Sequence, residues 1–445
     1  MRKLLAIWAA KLSAIVGVLL GKKSSSTPGV IALKICPDLI KILKKNIKHQ
    51  VIVTCGTNGK TTTNNLLYSA LSKCGYRVVC NKLGANMLSG VATAFALECD
   101  IFGRLKADYA CLEVDEAYTI KVFEHIQPDI VLVTNLFRDQ LDRYGEIDMI
   151  MDIMKSAFEK SNMPTLVLNG DDPISSGFGL GYKGEVRYYG IGEEVLTNQG
   201  DVREGKFCTV CGNEQKYNFR HYSQLGDYYC PACGNKRPPI DFEATDVDLN
   251  GGLKFTVNGE RISLKYRGFY NIYNCLAVYG AIKMLGIKTK SFDSILDNYK
   301  PQIGRMQEVD LGKPFILNLA KNPAGFNQAI ETVMQDRRKK DVIIAINDKA
   351  NDGTDISWLW DVNFEKLADE TLNTLSALGT RRYDLALRLK YADVKVDIVS
   401  EDMKFILERC MQTDADVCYV LVNYTMLFST ENVMKEIQKE NEKNK

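Results

Sequence analysis

The sequence predicts an α/β chain: a mainly parallel sheet with helices on both faces, a small cysteine module inserted into it, and a second α/β domain. Three observations predict this. Short β-branched runs alternate with helical-period segments, four cysteines fall into two C-x-x-C pairs, and the composition turns around Pro301–Leu311 before the alternation resumes.

In chain order, Ser24–Gly29 reads as a loop and Ile31–Lys45 as a helix with a basic end. Val51–Thr54 is a strand that runs into Gly56–Lys60 and then a helix over Thr61–Lys73. Strand-like runs recur at Tyr109–Val114, Ile130–Thr134 and Thr165–Asn169. The rhythm stops over Asn198–Pro239, a polar stretch with cysteines and aromatics, and resumes with Lys254–Val257 and a helix over Tyr270–Leu285. Further strands are expected near Phe315–Leu319, Val342–Ile346 and Val417–Val422, and Glu431–Lys445 reads as a charged helical tail that frays. The expected borders are 1–45 for an N-terminal segment, 46–305 for a phosphate-binding domain with its insertion at about 205–240, and 306–445 for the last domain.

The bulk numbers exclude some classes. The 445 residues suit two to three domains, and 57 Lys plus Arg against 55 Asp plus Glu leave no global field for nucleic acid. Thirteen cysteines, nine of them dispersed, suit a reducing cytosol better than a disulfide scaffold. Met1–Leu20 is apolar with a basic start, as in a signal peptide, but Lys11 interrupts it, and a spanning helix needs about 20 uninterrupted apolar residues. The favoured reading is an amphipathic helix that packs on the body or rests on a membrane. The expected location is the cytoplasm, with contact to the inner face of the plasma membrane left open.

The string Thr54-Cys55-Gly56-Thr57-Asn58-Gly59-Lys60-Thr61-Thr62 sits between a strand and a helix, the context of a P-loop. Gly56 and Gly59 let successive N–H groups turn towards phosphates, with the helix N-terminus behind them. Lys60 supplies a point charge for the β- and γ-phosphates, and the Thr61 hydroxyl can ligate Mg²⁺. The strict Walker pattern has glycine where this chain has Thr54. Cys208-Thr209-Val210-Cys211-Gly212 and Cys230-Pro231-Ala232-Cys233-Gly234 are two knuckles separated by 18 residues. Four thiolates at that spacing close a tetrahedral zinc site with no open position, so the metal is structural.

The G-T-N-G-K-T-T form resembles the Mur ligases and folylpolyglutamate synthases, and the chain resembles that family from here onward. It implies a Mur ligase-like ATP-binding domain in which Gly56, Thr57, Asn58, Gly59, Lys60, Thr61 and Thr62 hold ATP, and Thr61 and Glu113 hold magnesium. Thr134-Asn135-Leu136 and Asp139-Gln140-Leu141-Asp142 resemble another family segment, with Gln140 in place of histidine. Asn271-Ile272-Tyr273-Asn274 resembles a helix whose second asparagine, Asn274, contacts adenine. Gly304-Arg305 resembles the arginine that enters the nucleotide site. Taken alone, each of these is an ordinary capping amide or surface charge.

The family's UDP-sugar domain is expected to be missing, since only some 45 residues precede the P-loop. With the cysteine insertion, this resembles the synthetase subunits of lipid II isoglutaminyl synthases. Such a subunit forms a heterodimer with a separate class I glutaminase and amidates the α-carboxylate of D-glutamate in the lipid II stem peptide, through an acyl phosphate. Leu319-Ala320-Lys321-Asn322-Pro323 stands where Mur ligases carry a D-Y-A-H-N-P segment. The run ending Asp352-Gly353-Thr354-Asp355-Ile356-Ser357-Trp358 makes Asp355 the candidate catalytic acid, with Asp348 and Asp352 as competitors. Read from the residues alone, such a turn is as often only a turn. No Cys–His pair in the chain offers a glutaminase nucleophile, so ammonia is expected from the partner.

The rival readings are a Mur-type or folylpolyglutamate-type ligase that adds an amino acid, a nucleic-acid-binding ATPase gripping a strand with its zinc ribbon, and a non-catalytic scaffold for a glutaminase. Lys216 and Arg220, opposed by Glu214 and Asp227, speak against the second.

Overall fold

The computed structural model describes residues 1–19, 25–82, 84–137, 147–196, 205–250, 252–265, 268–296, 303–349 and 352–443. The chain divides into two compact units. The first takes in Met1–Phe137, Glu146–Tyr266 and Tyr270–Tyr299, and Lys300–Lys445 makes up nearly all of the second.

The first unit opens with three helices, α1 (Arg2–Leu19), α2 (Thr27–Ile35) and α3 (Leu39–Lys44). The single helix expected over Ile31–Lys45 is broken at Cys36, whose backbone is extended (φ −137°, ψ 88°). The reason is Pro37, whose ring disfavours helical geometry in the residue before it. Next come β1 (Val51–Cys55), α4 (Lys60–Lys73), β2 (Val78–Cys80), α5 (Leu88–Glu98), β3 (Tyr109–Glu113), α6 (Thr119–Ile126) and β4 (Ile130–Val133). After them stand α7 (Ile147–Lys160), β5 (Thr165–Asn169) and β6 (Val186–Ile191).

β1, β3 and β4 are buried at every residue, as a parallel sheet covered on both faces requires. Parallel pairing joins β2, β3, β1, β4, β5 and β6 in that spatial order. The register sets Thr54 beside Glu113 and Cys55 beside Val133, so the carboxyl ends of three strands meet at the phosphate loop. That edge is where open α/β sheets bind ligands.

Asn198–Pro239 carries more regular structure than its composition suggests. β7 (Lys216–Tyr222) and β8 (Leu225–Tyr229) form an antiparallel hairpin with register shifts at Tyr217/Phe219 and Arg220/Tyr222. Those irregularities, together with polar and aromatic residues mixed along both strands, hide the period of two. β9 (Phe242–Asp248) then pairs in parallel with β6, and β10 (Leu253–Val257) and β11 (Glu260–Leu264) extend the sheet antiparallel. α8 (Tyr270–Met284) is buried from Ile272 to Ile282, and α9 (Phe292–Leu296) follows it. An apolar surface all round suits a helix enclosed on every side.

The second unit is another α/β sheet, in spatial order β12 (Gln307–Asp310), β13 (Pro314–Leu319), β17 (Val417–Val422), β14 (Lys340–Ala345), β15 (Leu372–Leu378) and β16 (Ile398–Val399). Only β12 is antiparallel among these described strands. Its helices are α10 (Pro323–Gln335), α11 (Arg382–Tyr391), α12 (Met403–Met411) and α13 (Tyr424–Lys443). The tail expected to fray is part of α13, which buries Met434 and Ile437 in the core.

A buried ion pair ties the cysteine module to the first sheet. Arg237 Nε donates to Asp171 Oδ1 at 2.7 Å, and Asp171 is fully buried. The other carboxylate oxygen accepts from Tyr273 Oη and from the amide of Ile191, each at 2.8 Å. Burial pushes the Asp171 carboxyl up, and Arg237 with these donors offsets it. Removing one member of such a pair strands the other. Arg237→Met should cost about 3–5 kcal/mol in the unfolding transition of the first unit. Urea denaturation showing a loss of under about 1 kcal/mol would mean that solvent reaches Asp171 freely.

Candidate nucleotide site and cysteine cluster

At the end of β1 the chain turns through Gly56 (φ +117°) and Gly59 (φ +86°), backbone states that favour glycine. Space forbids a side chain as well. A Cβ on Gly56 would stand 2.4 Å from Thr134 Oγ1, and one on Gly59 would stand 2.3 Å from Asn274 Oδ1. The T-N-L-F segment after β4 holds the loop from behind. Thr57 N donates to Asn135 O at 2.8 Å and Asn58 N to Asn135 Oδ1 at 2.9 Å, while Asn135 Nδ2 returns a bond to Asn58 O at 3.1 Å. Phe137 N donates to Thr57 Oγ1 at 3.0 Å.

Lys60 is the first residue of α4 and is only 7% exposed. Its ammonium donates to Glu116 Oε2 at 3.0 Å, to Thr57 O at 3.2 Å and to Gly56 O. Burial alone would lower its pKa, but Glu116, Asp115 and Glu113 together raise it, so the amine stays charged. Glu116 is a member of this site that sequence reasoning left without a role. Cys55 is fully buried and burial pushes its thiol well up, which makes it packing.

Glu113 ends β3. Asn81 grips its backbone from both sides, accepting from Glu113 N and donating to Glu113 O, each at 2.8 Å. One carboxylate oxygen accepts from Asn86 Nδ2 at 3.4 Å, whereas the buried Oε2 has no hydrogen-bond partner among the described residues. A Cβ on Gly84 would lie 3.6 Å from Thr61 Oγ1 and 3.7 Å from Glu113 Oε2. Both oxygens therefore border one small space, and an orphaned buried carboxylate oxygen beside a hydroxyl fits a hard cation. Nothing in the sequence marks Asn81 as the clamp.

Asn274 is buried on α8, where its Oδ1 accepts from Thr63 Oγ1 at 3.2 Å and its Nδ2 donates to Asn271 Oδ1 at 2.9 Å. The fold thus brings Asn274 to the phosphate loop across more than two hundred residues of chain. Asp139, Gln140 and Asp142 lie outside the described residues.

The four cysteine sulfurs all lie within 4.8 Å of one another. Cys208 and Cys233 are 3.6 Å apart, and Cys211 and Cys230 are 3.5 Å apart. A tetrahedral S₄ metal site with bonds of about 2.3 Å has sulfur–sulfur edges of about 3.8 Å, so the cluster has the right size to hold a metal ion. Each knuckle turns through a left-handed glycine, Gly212 or Gly234, whose amide donates to the carbonyl of the first cysteine. The Asn213 side chain and backbone amide draw the Cys211 thiol down to about 6, towards the thiolate a metal binds. The hairpin tip then reaches the loop system. Gln224 Nε2 donates to Leu136 O at 2.7 Å and to Asp172 Oδ1 at 3.3 Å, and Leu136 N donates to Asp172 Oδ2 at 2.9 Å.

In the second unit, the three candidate aspartates have different surroundings. Asp348 accepts from Thr380 Oγ1 and Arg381 Nε, both at 2.8 Å. Asp352 is buried and accepts from the backbone amide and hydroxyl of Thr425. Asp355 is half-buried and its Oδ1 accepts at 2.8 Å from the amide of Ser357, the first residue of a 3₁₀ turn over Ser357–Asp361. Ala350 and Asn351 lie outside the described residues. Arg305 belongs to this unit, half-buried between Gly304 (φ +73°) and Met306 (φ +51°). Asn322 caps α10 by accepting from Gly325 N at 2.8 Å.

Comparison with known proteins identifies the architecture. The Mur ligase middle domain matches residues 53–230, and the MurT ligase C-terminal domain matches residues 319–427. The lipid II isoglutaminyl synthase (glutamine-hydrolyzing) subunit MurT of Staphylococcus aureus (strain COL) is 35% identical over 403 residues, which cover 90% of each chain. The chain belongs to the MurT family. A MurT of Streptococcus pneumoniae (strain ATCC BAA-255 / R6) is 32% identical over 429 residues, covering 94% of this chain and 93% of that one. Among solved structures, a pseudomurein peptide ligase type C from Methanothermus fervidus has the same fold, with TM-score 0.70 and 24% identity over 89% of this chain and 80% of its own. This member of the MurT family therefore has a Mur ligase-like α/β fold, with the cysteine hairpin set into the first unit.

The Gly59 geometry gives a direct test. Gly59→Ala forces a side chain into a left-handed turn and onto Asn274, at a strain cost of about 1–3 kcal/mol. Nucleotide affinity measured by calorimetry should fall about 10- to 100-fold. An affinity within twofold of the wild type would mean that the loop does not hold phosphate in this conformation.

Proposed function

We propose that the chain is the ATP-dependent synthetase subunit of a lipid II isoglutaminyl synthase. In this reading it amidates the α-carboxylate of the stem-peptide D-glutamate with ammonia from a class I glutaminase partner. The observation that carries the reading is the phosphate nest with Lys60 at its rim and the unpaired Glu113 oxygen beside Thr61. The family match supplies the substrate class: the relatives are named as glutamine-hydrolyzing subunits of a lipid II enzyme.

The chemistry follows from the charges. A carboxylate is a poor electrophile, so one of its oxygens first attacks the γ-phosphorus of ATP, and ADP leaves. Ammonia then attacks the acyl carbon, phosphate departs with its oxygen, and the nitrogen sheds a proton. Backbone amides of the Gly56–Lys60 loop other than those of Thr57 and Asn58, which Asn135 holds, bind and orient the triphosphate together with the Lys60 ammonium. By the family resemblance, Asn274 is assigned to adenine and Arg305 is the arginine assigned to the nucleotide. Magnesium, held by Thr61 Oγ1 and Glu113, supplies charge neutralisation on the phosphates. Zinc in the Cys208, Cys211, Cys230 and Cys233 cluster is structural, since four thiolates leave no position for substrate.

Asp355 is the acid that orients the ammonia or takes its proton. Asp348 is engaged by Arg381 and Asp352 is buried against Thr425, whereas Asp355 is half-buried with Oδ1 accepting from Ser357 N, and its assignment rests on the D-G-x-D-x-S-W resemblance.

Reconstitution tests this reading. The chain with its glutaminase, ATP, Mg²⁺, glutamine and lipid II should yield stem peptides carrying the OH-to-NH₂ mass change. Lys60→Ala should abolish it. Asp355→Asn should lower turnover about 10²- to 10⁴-fold while nucleotide binding persists. Wild-type amidation by Asp355→Asn would strike that residue from the mechanism, and normal product from Lys60→Ala would overturn the reading as a whole.

Metal analysis separates the zinc assignment from activity. The purified chain should hold one zinc, and Cys230→Ser should lose it with a lower melting temperature. Full zinc content in that variant would place the metal elsewhere.

A further inference from the structure

α1 is built inside out. Its face against α2 and α5 is made largely of small residues, with Ala6, Ala10 and Gly17 buried beside Ile7. Its large apolar residues, Leu5, Trp8, Leu12, Ile15 and Leu19, recur at intervals of three and four and point to solvent, with exposures from 48% to 80%. A surface helix of a water-soluble domain orders these faces the other way. Ile101 and Phe102 continue the patch beside Trp8, at 66% and 64% exposure.

We propose that this face of α1 is a docking surface for an anionic phospholipid bilayer, on which the helix lies in the plane of the headgroups. This inference is argued from α1 and its neighbours alone and does not depend on the amidation reading.

Charge selects the occupant. Ten of the first fifty residues are Lys or Arg and one, Asp38, is acidic, so this stretch carries +9 in a chain whose total is +2. A second copy of the chain would bring the same positive stretch against itself. An anionic lipid surface attracts it, and clustered lysines and arginines beside an apolar helix face are how proteins read such a surface. On the patch itself, Arg104 lies over the Phe102 ring, 5.1 Å from its centre, and pairs with Asp100 at 3.8 Å.

The polar atoms of α1 are already provided for. Trp8 Nε1 donates to Ile101 O at 2.8 Å, so its ring can enter the acyl boundary without stranding an N–H. Lys11 Nζ donates to Leu97 O at 2.8 Å, which turns the one central cation of the helix towards the protein body. Among the described residues no helix is long and apolar enough to cross a membrane, and α1 is packed along its inner face. An in-plane attachment is the geometry that remains for a lipid contact.

The test is sedimentation of the full chain with vesicles of equal phosphatidylglycerol and phosphatidylcholine, and with phosphatidylcholine alone. Wild-type protein should partition at least tenfold better onto the anionic vesicles, with blue-shifted Trp8 emission that Trp8→Phe removes. The double variant Leu12→Asp/Ile15→Asp should lose this binding and keep its melting temperature and nucleotide affinity, because both side chains face water. Equal binding to both vesicle types, or unimpaired binding by the double variant, would overturn the proposal. So would a wild-type dimer by light scattering that the double variant dissolves, or loss of vesicle binding when the glutaminase subunit is added. The readout is independent of amidation, so an inactive chain that binds vesicles refutes only the proposed reaction.

Discussion

The structure turns on one electrostatic constraint: an ammonium kept almost out of water at the start of a helix. Lys60 sits where the N-terminal N–H groups of α4 already carry positive partial charge, so its own charge is doubly unfavourable there. Glu116, Asp115 and Glu113 make it tolerable, and they can do so only because β3 lies beside β1 in a register that ends both strands together. The parallel sheet is thus a device for setting three carboxylates opposite one lysine. A triphosphate bound here would bring negative charge to the ammonium, and a cation would be needed between it and Glu113. The orphaned Glu113 oxygen lies on the side where that cation would sit.

How much of this was legible in the sequence depends on whether a function is carried by neighbours along the chain. The phosphate loop was legible because a nest of amides must come from consecutive residues, and glycine spacing writes it down. The cysteine cluster was legible for the same reason, since each knuckle supplies two ligands within four residues. Glu113 and Asn274 were reachable only through resemblance, because a lone strand-end acid or helix amide has many ordinary uses. Asn81 and Asn135 were invisible as clamps. Each acts through one side-chain amide on the backbone of a segment far away in sequence, and asparagine is common in loops for local reasons. In the fold, Pro37 was the overlooked word: the apolar period ran through it, while the ring before the next turn ended the helix.

In the second unit the three aspartates show why proximity along a chain is a poor guide to role. Asp348 and Asp352 flank the same turn, yet the fold employs both. Asp348 joins the end of β14 to the start of α11 through Arg381, and Asp352 fastens the turn to the start of α13 through Thr425. Their charges are held by partners that give the turn its shape. Asp355 accepts from Ser357 N at the start of a 3₁₀ turn, so one short run of sequence sends its three aspartates into three different neighbourhoods.

The cysteine hairpin has a place in the same chain of constraints. Its tip residue Gln224 and the buried Asp172 hold the backbone of Leu136 from both sides, and the next residue, Phe137, is bonded to Thr57 inside the phosphate loop. Asp172 is expensive to bury, with its carboxyl raised to about 6, and the amides of Leu136 and Ile174 with the Gln224 side chain offset the cost. The free energy of closing a metal site is folding free energy for whatever the site organises. Metal bound in the four-cysteine cluster would stabilise the hairpin and, through Gln224, the segment behind the phosphate loop. A cysteine hairpin whose tip touches the segment behind the phosphate loop is placed to brace that loop, and a metal bound by its four sulfurs would strengthen the brace without taking part in chemistry.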